Sequence, residues 1–412
     1  MLSIHPAELS GVYRAIPSKS FAHRAMICAA LAKGRSSLYP VQASDDVKAT
    51  MGALAQLGLA DVSLCGDAVT VGGGLRLPRQ TVFCNESGST LRFLLPVSLL
   101  LGGADFIGRG RLMQRPLGPF EALVQDKGWA FEKDGDRLSL RGTLMPGEYA
   151  VSGDVSSQYV SGLLLALPLC GESVVCLTTP LESEGYVDIT LQVMASFGIC
   201  VRQEGGKYFM PAGEYVPLEY EIEGDYSAAA FFLAMAALGA DIGVCGLKPD
   251  SVQGDRAILD ILGQLGRGVR WENGEIRVDT FGEMGGGEID ISQVPDLLPV
   301  LAVLACGACG ETAFVKGARL RYKESDRLTS TAALINGLGG RAEELPDGLV
   351  VRGNGRLSGG SVDAFGDHRI AMAAAVAALI CEQEIRLGGA ECVAKSAPNF
   401  WQEYEGLGGR IG

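Results

Sequence analysis

The feature that most constrains this chain is a repeat. At six places, about 70 residues apart, a short polar segment runs into an apolar, Ala- and Leu-rich stretch of helical length. The polar segments are Pro17-Ser-Lys-Ser-Phe, Asn85-Glu-Ser-Gly-Ser-Thr, Gly153-Asp-Val-Ser-Ser-Gln, Gly224-Asp-Tyr-Ser-Ala, Ser292-Gln-Val-Pro-Asp and Gly366-Asp-His-Arg. A second, amphipathic helix that stops at a glycine follows each of the first five: Val47 to Gly58, Phe120 to Gly128, Val187 to Gly198, Arg256 to Gly266 and Leu328 to Gly339. A sixth is expected from Asn399 to Gly408. Alternating strand pairs around a Gly or Asp turn come next, at Val62 to Val71, Ala130 to Leu140, Cys200 to Phe209, Val269 to Val278 and Arg341 to Val351.

The unit is therefore strands plus two helices, an α/β design. Its first helix is apolar nearly all round and has to be buried, which an open solenoid of six units does not easily provide. Three units around a shared core is the economical solution, and 412 residues exceed what one core usually supports. The expected organisation is one lobe at 18–223 and a second built from 1–17 plus 224–412, with a cleft between them.

Composition narrows the function. A chain 47% hydrophobic and 20% charged is globular, and its 57 glycines are spread along the chain, as many short turns require. A net charge of −13 argues against a general nucleic-acid or anionic-membrane surface, so any phosphate site must be local. The strongest apolar runs, Phe93 to Leu101 and Ile370 to Cys381, fall short of the roughly 20 residues that cross a bilayer. The first residues alternate like a strand and lack a signal-peptide layout, so the expected compartment is the cytoplasm.

Eleven cysteines, an odd number, lie mostly in apolar stretches, as Cys28, Cys170 and Cys381 do, and read as structural thiols. The pair Cys306 and Cys309 has no second pair for zinc, and His5, His23 and His368 are far apart, so no metal is expected. The glycine-rich stretches Gly72 to Gly74, Gly285 to Gly287 and Gly353 to Gly360 join strands instead of opening helices, and no Walker A pattern or nucleophile elbow is present.

The polar segments sit at the starts of buried helices, where free N–H groups and the helix dipole favour anions. Ser, Asp and Asn there also read simply as N-caps. Cations break that reading. Lys19 and Arg24 flank the start of the first buried helix, where the dipole disfavours Lys, and Arg92, Arg115 and Arg369 lie beside Gly, Pro or helix starts. In Arg319-Leu-Arg-Tyr-Lys-Glu-Ser-Asp-Arg327, six charged side chains, four of them basic, form either a solvated helix face or a ligand face, with Glu324 and Asp326 expected in the helix's first turn. Asp296, before the apolar run Leu297 to Leu304, reads as a cap or as a general base. Lys395 by itself reads as an ordinary surface lysine.

Taken together, Pro17-Ser-Lys-Ser with Arg24, Ser87-Gly-Ser-Thr-Leu-Arg92, Arg115-Pro-Leu-Gly, Gly153-Asp-Val-Ser-Ser-Gln158, Lys323-Glu-Ser-Asp-Arg327, Gly366-Asp-His-Arg369 and Lys395 resemble the enolpyruvyl transferase family of 3-phosphoshikimate 1-carboxyvinyltransferases, the EPSP synthases, over essentially the whole chain. The resemblance implies a two-lobed, inside-out α/β barrel with the active site between the lobes, no metal or redox cofactor, and a monomer. It implies transfer of the enolpyruvyl group of phosphoenolpyruvate to the 5-hydroxyl of shikimate 3-phosphate, the sixth shikimate-pathway step on the way to chorismate and the aromatic amino acids, in an enzyme of the kind glyphosate targets.

By the same resemblance Lys19, Ser20, Arg24, Ser156, Ser157, Gln158, Ser183, Asp296 and Lys323 bind shikimate 3-phosphate, with Tyr186 nearby. Lys19, Gly88, Arg115, Gln158, Arg327, Arg369 and Lys395 bind phosphoenolpyruvate. Asp296, Glu324 and Lys19 are the catalytic residues. Two positions depart from the family pattern, Glu86 where Asn is common and Gly185 where Pro is frequent. The nearest rival, UDP-N-acetylglucosamine enolpyruvyl transferase, uses a cysteine in the loop before an Arg-Pro pair, and no cysteine lies between Leu101 and Met145 here. A rival of another class is a non-catalytic anion-binding scaffold, against which Asp296 and Glu324 together argue.

Overall fold

The structure, a computed structural model, describes residues 1–74 and 81–412. It comprises two compact units, Pro17–Glu223 and Met1–Ile16 joined with Gly224–Gly412. The first holds helices α1 (Lys19–Leu31), α2 (Asp45–Gln56), α3 (Gly88–Leu99), α4 (Gly118–Lys127), α5 (Ser157–Ala166) and α6 (Glu184–Ser196). The second holds α7 (Tyr226–Ala237), α8 (Ile258–Gln264), α9 (Leu298–Gly307), α10 (Arg327–Gly337), α11 (His368–Ala377) and α12 (Phe400–Gly406).

The odd-numbered helices are the apolar ones, and they form the cores. Every residue of α11 is buried, and in α7 and α9 only Ser227 and Gly307 are not. These three helices pack on one another. In the other unit α3 packs on α5, α5 on α6 and α6 on α1. Small residues permit the close approach: a Cβ on Gly162 of α5 would stand 2.6 Å from the Arg92 carbonyl oxygen of α3. Each fully buried Leu or Phe of these helices contributes about 1.5–3 kcal/mol of hydrophobic stabilisation.

Among the described residues the strands form six four-stranded sheets with one shared pattern, a parallel pair followed by two antiparallel strands. In four of the sheets the buried helix is the crossover that the parallel pair requires, as α3 is between Val82–Asn85 and Gly103–Gly108. Each polar segment consequently lies between the carboxyl end of a strand and the N-terminus of a buried helix. Two sheets borrow a strand. Glu219–Glu221, after the third repeat, pairs in parallel with Gly34–Tyr39 of the first, and Ser10–Arg14 pairs in parallel with Asp241–Cys245 of the fourth. In the sixth sheet the N-terminal strand Leu2–His5 lies between Ile385–Gly388 and Arg410–Ile411, with Ile4 opposite both Ile385 and Ile411.

Simple capping accounts for four of the six polar segments. Ser87 accepts from Thr90 N (3.2 Å), Ser156 from Gln158 N (3.4 Å), Asp225 from Ala228 N (2.9 Å) and Asp367 from Arg369 N (3.0 Å). It fails at α1, where Ser18 makes no side-chain cap bond, and at α9, where the cap position belongs to Leu297 and not to Asp296. One expected boundary also moves. The helix begins at Arg327 because Asp326 takes the cap position, accepting from Thr329 N (3.3 Å), so Glu324 precedes the helix and Lys323 and Arg327 share no helical face. All eleven cysteines are free.

Candidate active site

The two segments where capping fails each carry an unusual charge. In the Pro17–Glu223 unit, Lys19 is the first residue of α1, and its Nζ reaches Asp46 Oδ2 at 2.9 Å. This carboxylate, from the start of α2, compensates a cation that the dipole of α1 disfavours. One turn on, Arg24 is fully buried: Nε donates to Thr190 Oγ1 (2.6 Å), and the two terminal nitrogens donate to the carbonyl oxygens of Ser20 and Tyr186, each at 2.8 Å. The guanidinium lies 4.8 Å from the Phe93 ring centroid, and burial lowers its pKa to about 9.

A second cluster in this unit gathers around Gly88. A Cβ there would stand 3.2 Å from a terminal nitrogen of Arg115, 3.2 Å from one of Arg92 and 3.4 Å from Gln158 Oε1. Arg92 donates to Gln158 Oε1 (2.8 Å) and to the Tyr159 hydroxyl (3.1 Å), and Gln158 Nε2 donates to Ser89 Oγ (3.0 Å). The Tyr159 hydroxyl passes the chain on to the Pro116 carbonyl oxygen (2.6 Å), which ties the Arg115-Pro116 loop to α5. Two cations, the first turn of α3 and a carboxamide thus line a cradle in which a side chain at position 88 would crowd the arginine ends. Ser156 and Ser157 open α5, and Ser183, at the cap of α6, is buried in the left-handed region at φ 57°.

In the other unit, Asp296 stands among cations. Its Oδ1 accepts from Arg327 (2.6 Å) and Lys323 Nζ (3.4 Å), its Oδ2 from Arg369 (2.8 Å), and its carbonyl oxygen from Arg369 (3.2 Å). Arg327 also donates to Glu324 Oε2 (2.9 Å) and, through Nε, to Asp367 Oδ2 (2.8 Å). Ser325 Oγ donates to the same Asp367 oxygen at 3.1 Å. Three cations therefore face three carboxylates. Arg327 is 1% exposed, whereas Asp296 and Glu324 keep 16% and 13%, enough for a ligand to touch them. Burial pushes the Asp296 carboxyl up, but Arg369, Lys323 and Arg327 outweigh it and hold it well below the usual range. Burial lowers the Lys323 ammonium to about 8. Lys395, itself buried, ends the 3-10 turn Ala390–Lys395 that packs against α11, which is not the position of an ordinary surface lysine.

The structure thus groups Asp296, Lys323, Glu324, Arg327 and Arg369 in one cluster, and Gly88, Arg115 and Gln158 in another. Sequence reasoning missed four partners: Asp46, Thr190, Asp367, and Arg92 as a member of the Gly88 cluster. Arg92 was findable, since it lies four residues after Gly88 on one face of α3. Asp367 hid inside a motif that reads as a cap, while Asp46 and Thr190 are remote in sequence and carry no local signal.

This arrangement has close relatives. The chain matches the family model of EPSP synthase (3-phosphoshikimate 1-carboxyvinyltransferase) over residues 4–404. The 3-phosphoshikimate 1-carboxyvinyltransferase of Clostridium kluyveri is 42% identical over 100% of this chain and 98% of its own. Those of Clostridium perfringens and Clostridioides difficile are each 41% identical, over 98% and 100% of this chain and 98% of theirs. Among solved structures, EPSP synthase from Acinetobacter baumannii superposes with a TM-score of 0.81 at 26% identity, covering 100% of this chain and 99% of that one. The chain belongs to the EPSP synthase family.

Proposed function

We propose that this protein transfers the enolpyruvyl group of phosphoenolpyruvate to the 5-hydroxyl of shikimate 3-phosphate and releases phosphate. The observation that carries the reading is the cluster around Asp296: a reachable carboxylate gripped by Lys323, Arg327 and Arg369, with a second carboxylate, Glu324, on the same arginine. Two multiply anionic substrates need such local cations in a chain of net charge −13.

In this reading Lys19, Ser20, Arg24, Ser156, Ser157, Gln158, Ser183 and Lys323 hold shikimate 3-phosphate. Lys19, the Gly88 backbone, Arg115, Gln158, Arg327, Arg369 and Lys395 hold the phosphate and carboxylate of phosphoenolpyruvate, for which the arginine forks are matched. Asp296 accepts the proton of the 5-hydroxyl, and Glu324 protonates the methylene carbon, leaving an oxocarbenium-like C2 that the 5-oxygen attacks. Glu324 then recovers a proton from the new methyl group as the C2–O bond to phosphate breaks, and the proton taken by Asp296 leaves with the phosphate, which returns both carboxyl groups to their starting states. With no substrate, Asp296 is a weak base because three cations stabilise its charge. When phosphoenolpyruvate engages Arg327 and Arg369, that compensation is shared and the proton affinity of Asp296 rises. No metal or redox cofactor enters the scheme, and the reading takes the enzyme to be cytoplasmic and monomeric.

The test of the base is Asp296→Ala. Calorimetry should show shikimate 3-phosphate still bound while turnover falls by at least roughly a hundred-fold, the lower end of what a positioned acid or base supplies. Binding retained with turnover unchanged would remove Asp296 from that role.

A further inference from the structure

Capping accounts for only one of the two hydrogen bonds that Ser87 accepts. Its Oγ takes Thr90 N at 3.2 Å and also the Thr90 hydroxyl at 2.8 Å. Thr90 Oγ1 in turn lies 2.6 Å from Thr50 Oγ1 on α2, and Thr50 Oγ1 lies 2.7 Å from Nδ1 of His23 on α1. Four polar side chains thus form one line through three helices, and none of them is more than 1% exposed. Apolar side chains would fill such space without taking four polar groups out of water, so the line calls for a reason beyond packing.

The line has a direction. Each hydroxyl carries one proton. Thr90 gives its own to Ser87, so the proton between the threonines comes from Thr50, and the proton between Thr50 and His23 comes from Nδ1. His23 is therefore a donor at Nδ1 in whichever charge state it holds. It stands on α1 one residue before Arg24, whereas Ser87, at the other end, immediately precedes Gly88, the first residue of α3.

The two ends are not held alike. On α1, Lys19 is fixed by Asp46, and Arg24 by Thr190 and by the carbonyl oxygens of Ser20 and Tyr186. The α1 end is thus anchored independently, and the first turn of α3 is the end that the line places. That placement has little slack, because a Cβ on Gly88 would already stand 3.2 Å from terminal nitrogens of Arg92 and Arg115. We propose that His23, Thr50 and Thr90 are positioning residues for phosphoenolpyruvate: a polarised relay that holds Ser87, and through it the Gly88 backbone, at the separation from Arg92 and Arg115 that the ligand needs. The inference rests on the assignment of the Gly88 cradle to phosphoenolpyruvate.

The experiment measures kcat and both KM values for wild type, Thr50→Val, Thr90→Val and the double variant. Valine keeps the shape of threonine and removes the hydroxyl. Each single variant should raise the KM for phosphoenolpyruvate about fivefold, the equivalent of one typical hydrogen bond, and leave the KM for shikimate 3-phosphate within about twofold. The double variant should be no worse than either single one, because a line cut twice loses what it lost when cut once. Thr50→Ser keeps the hydroxyl and should restore the wild-type value. A threonine that only fills the core would change stability and leave both KM values in place. An unmoved KM for phosphoenolpyruvate, or effects of the two threonines that add, overturns the proposal. Should the valine variants fail to fold, nitrogen-15 NMR of the histidines in the wild-type protein decides it, with His23 identified by its contact to Thr50. Nδ1 of His23 should carry a proton, and a bare Nδ1 overturns the relay. Wild type that releases no phosphate with shikimate 3-phosphate would instead refute the assignment of the cradle, while the NMR result still judges the relay.

Discussion

Asp367 performs two tasks with its two oxygens, which makes its removal a quantitative test of how the Asp296 cluster is held. Oδ1 caps α11 through Arg369 N at 3.0 Å, and Oδ2 accepts from Arg327 Nε at 2.8 Å. The residue is wholly buried, and burial pushes its carboxyl up, but Arg327 holds it below the usual range. Asp367→Ala loses the cap, worth about 1 kcal/mol. It also takes a carboxylate from a buried guanidinium, which costs about 3–5 kcal/mol. Arg327 keeps Asp296 and Glu324, so the lower end applies and the expected total is about 4 kcal/mol. Asp367→Asn has one acceptor oxygen for three donors, Arg369 N, Arg327 Nε and the Ser325 hydroxyl, and its cost should be about 2 kcal/mol.

The assay is urea unfolding by fluorescence in a Trp129→Phe background, where only Trp271 and Trp401 report, both in the same unit as Asp367. The Ala variant should shift the midpoint most and the Asn variant by about half as much. A loss below about 1 kcal/mol for Asp367→Ala would refute the claim that Arg327 depends on this partner.

The remaining predictions concern the Gly88 cradle and the acid response of the fold. Gly88→Ala places a methyl 3.2 Å from terminal nitrogens of both Arg92 and Arg115, so the KM for phosphoenolpyruvate should rise by roughly tenfold, about 1.4 kcal/mol. Inhibition by glyphosate should weaken further still, and equal inhibition of wild type and variant would contradict the steric argument. Glu403 on α12 is raised by burial to about 7, above roughly 4.3 in the unfolded chain. Between those values the folded state binds the extra proton, so its contribution to stability is lost as pH rises through that window. Glu403→Gln should flatten the stability profile from pH 4.5 to 7, and an unchanged slope would show that Glu403 titrates normally.

What was legible in the sequence is what local chemistry dictates. Helices apolar on all faces announce burial, and cations at Lys19 and Arg24 run against the dipole of a buried helix, so they stand out from the caps around them. Partner choice is what stayed hidden. Glu219–Glu221 carries no pattern that says it will pair with Gly34–Tyr39, because alternation describes a strand and not its neighbour. Asp367 and Asp225 look alike as caps, and nothing local says that Asp367 also binds a buried arginine; that partner, Arg327, lies 40 residues earlier in the chain. The start of α10 at Arg327 was misplaced for a related reason. Glu324 and Asp326 both suit a first turn, and only the actual cap bond of Asp326 decides between them.

The central claim is tested most directly by following phosphate release from phosphoenolpyruvate with shikimate 3-phosphate, with UDP-N-acetylglucosamine, and with neither. The account predicts release that depends on shikimate 3-phosphate alone, with the enolpyruvyl group recovered on the 5-oxygen. Release only with the sugar nucleotide would reassign the acceptor, and no release with either would contradict the account.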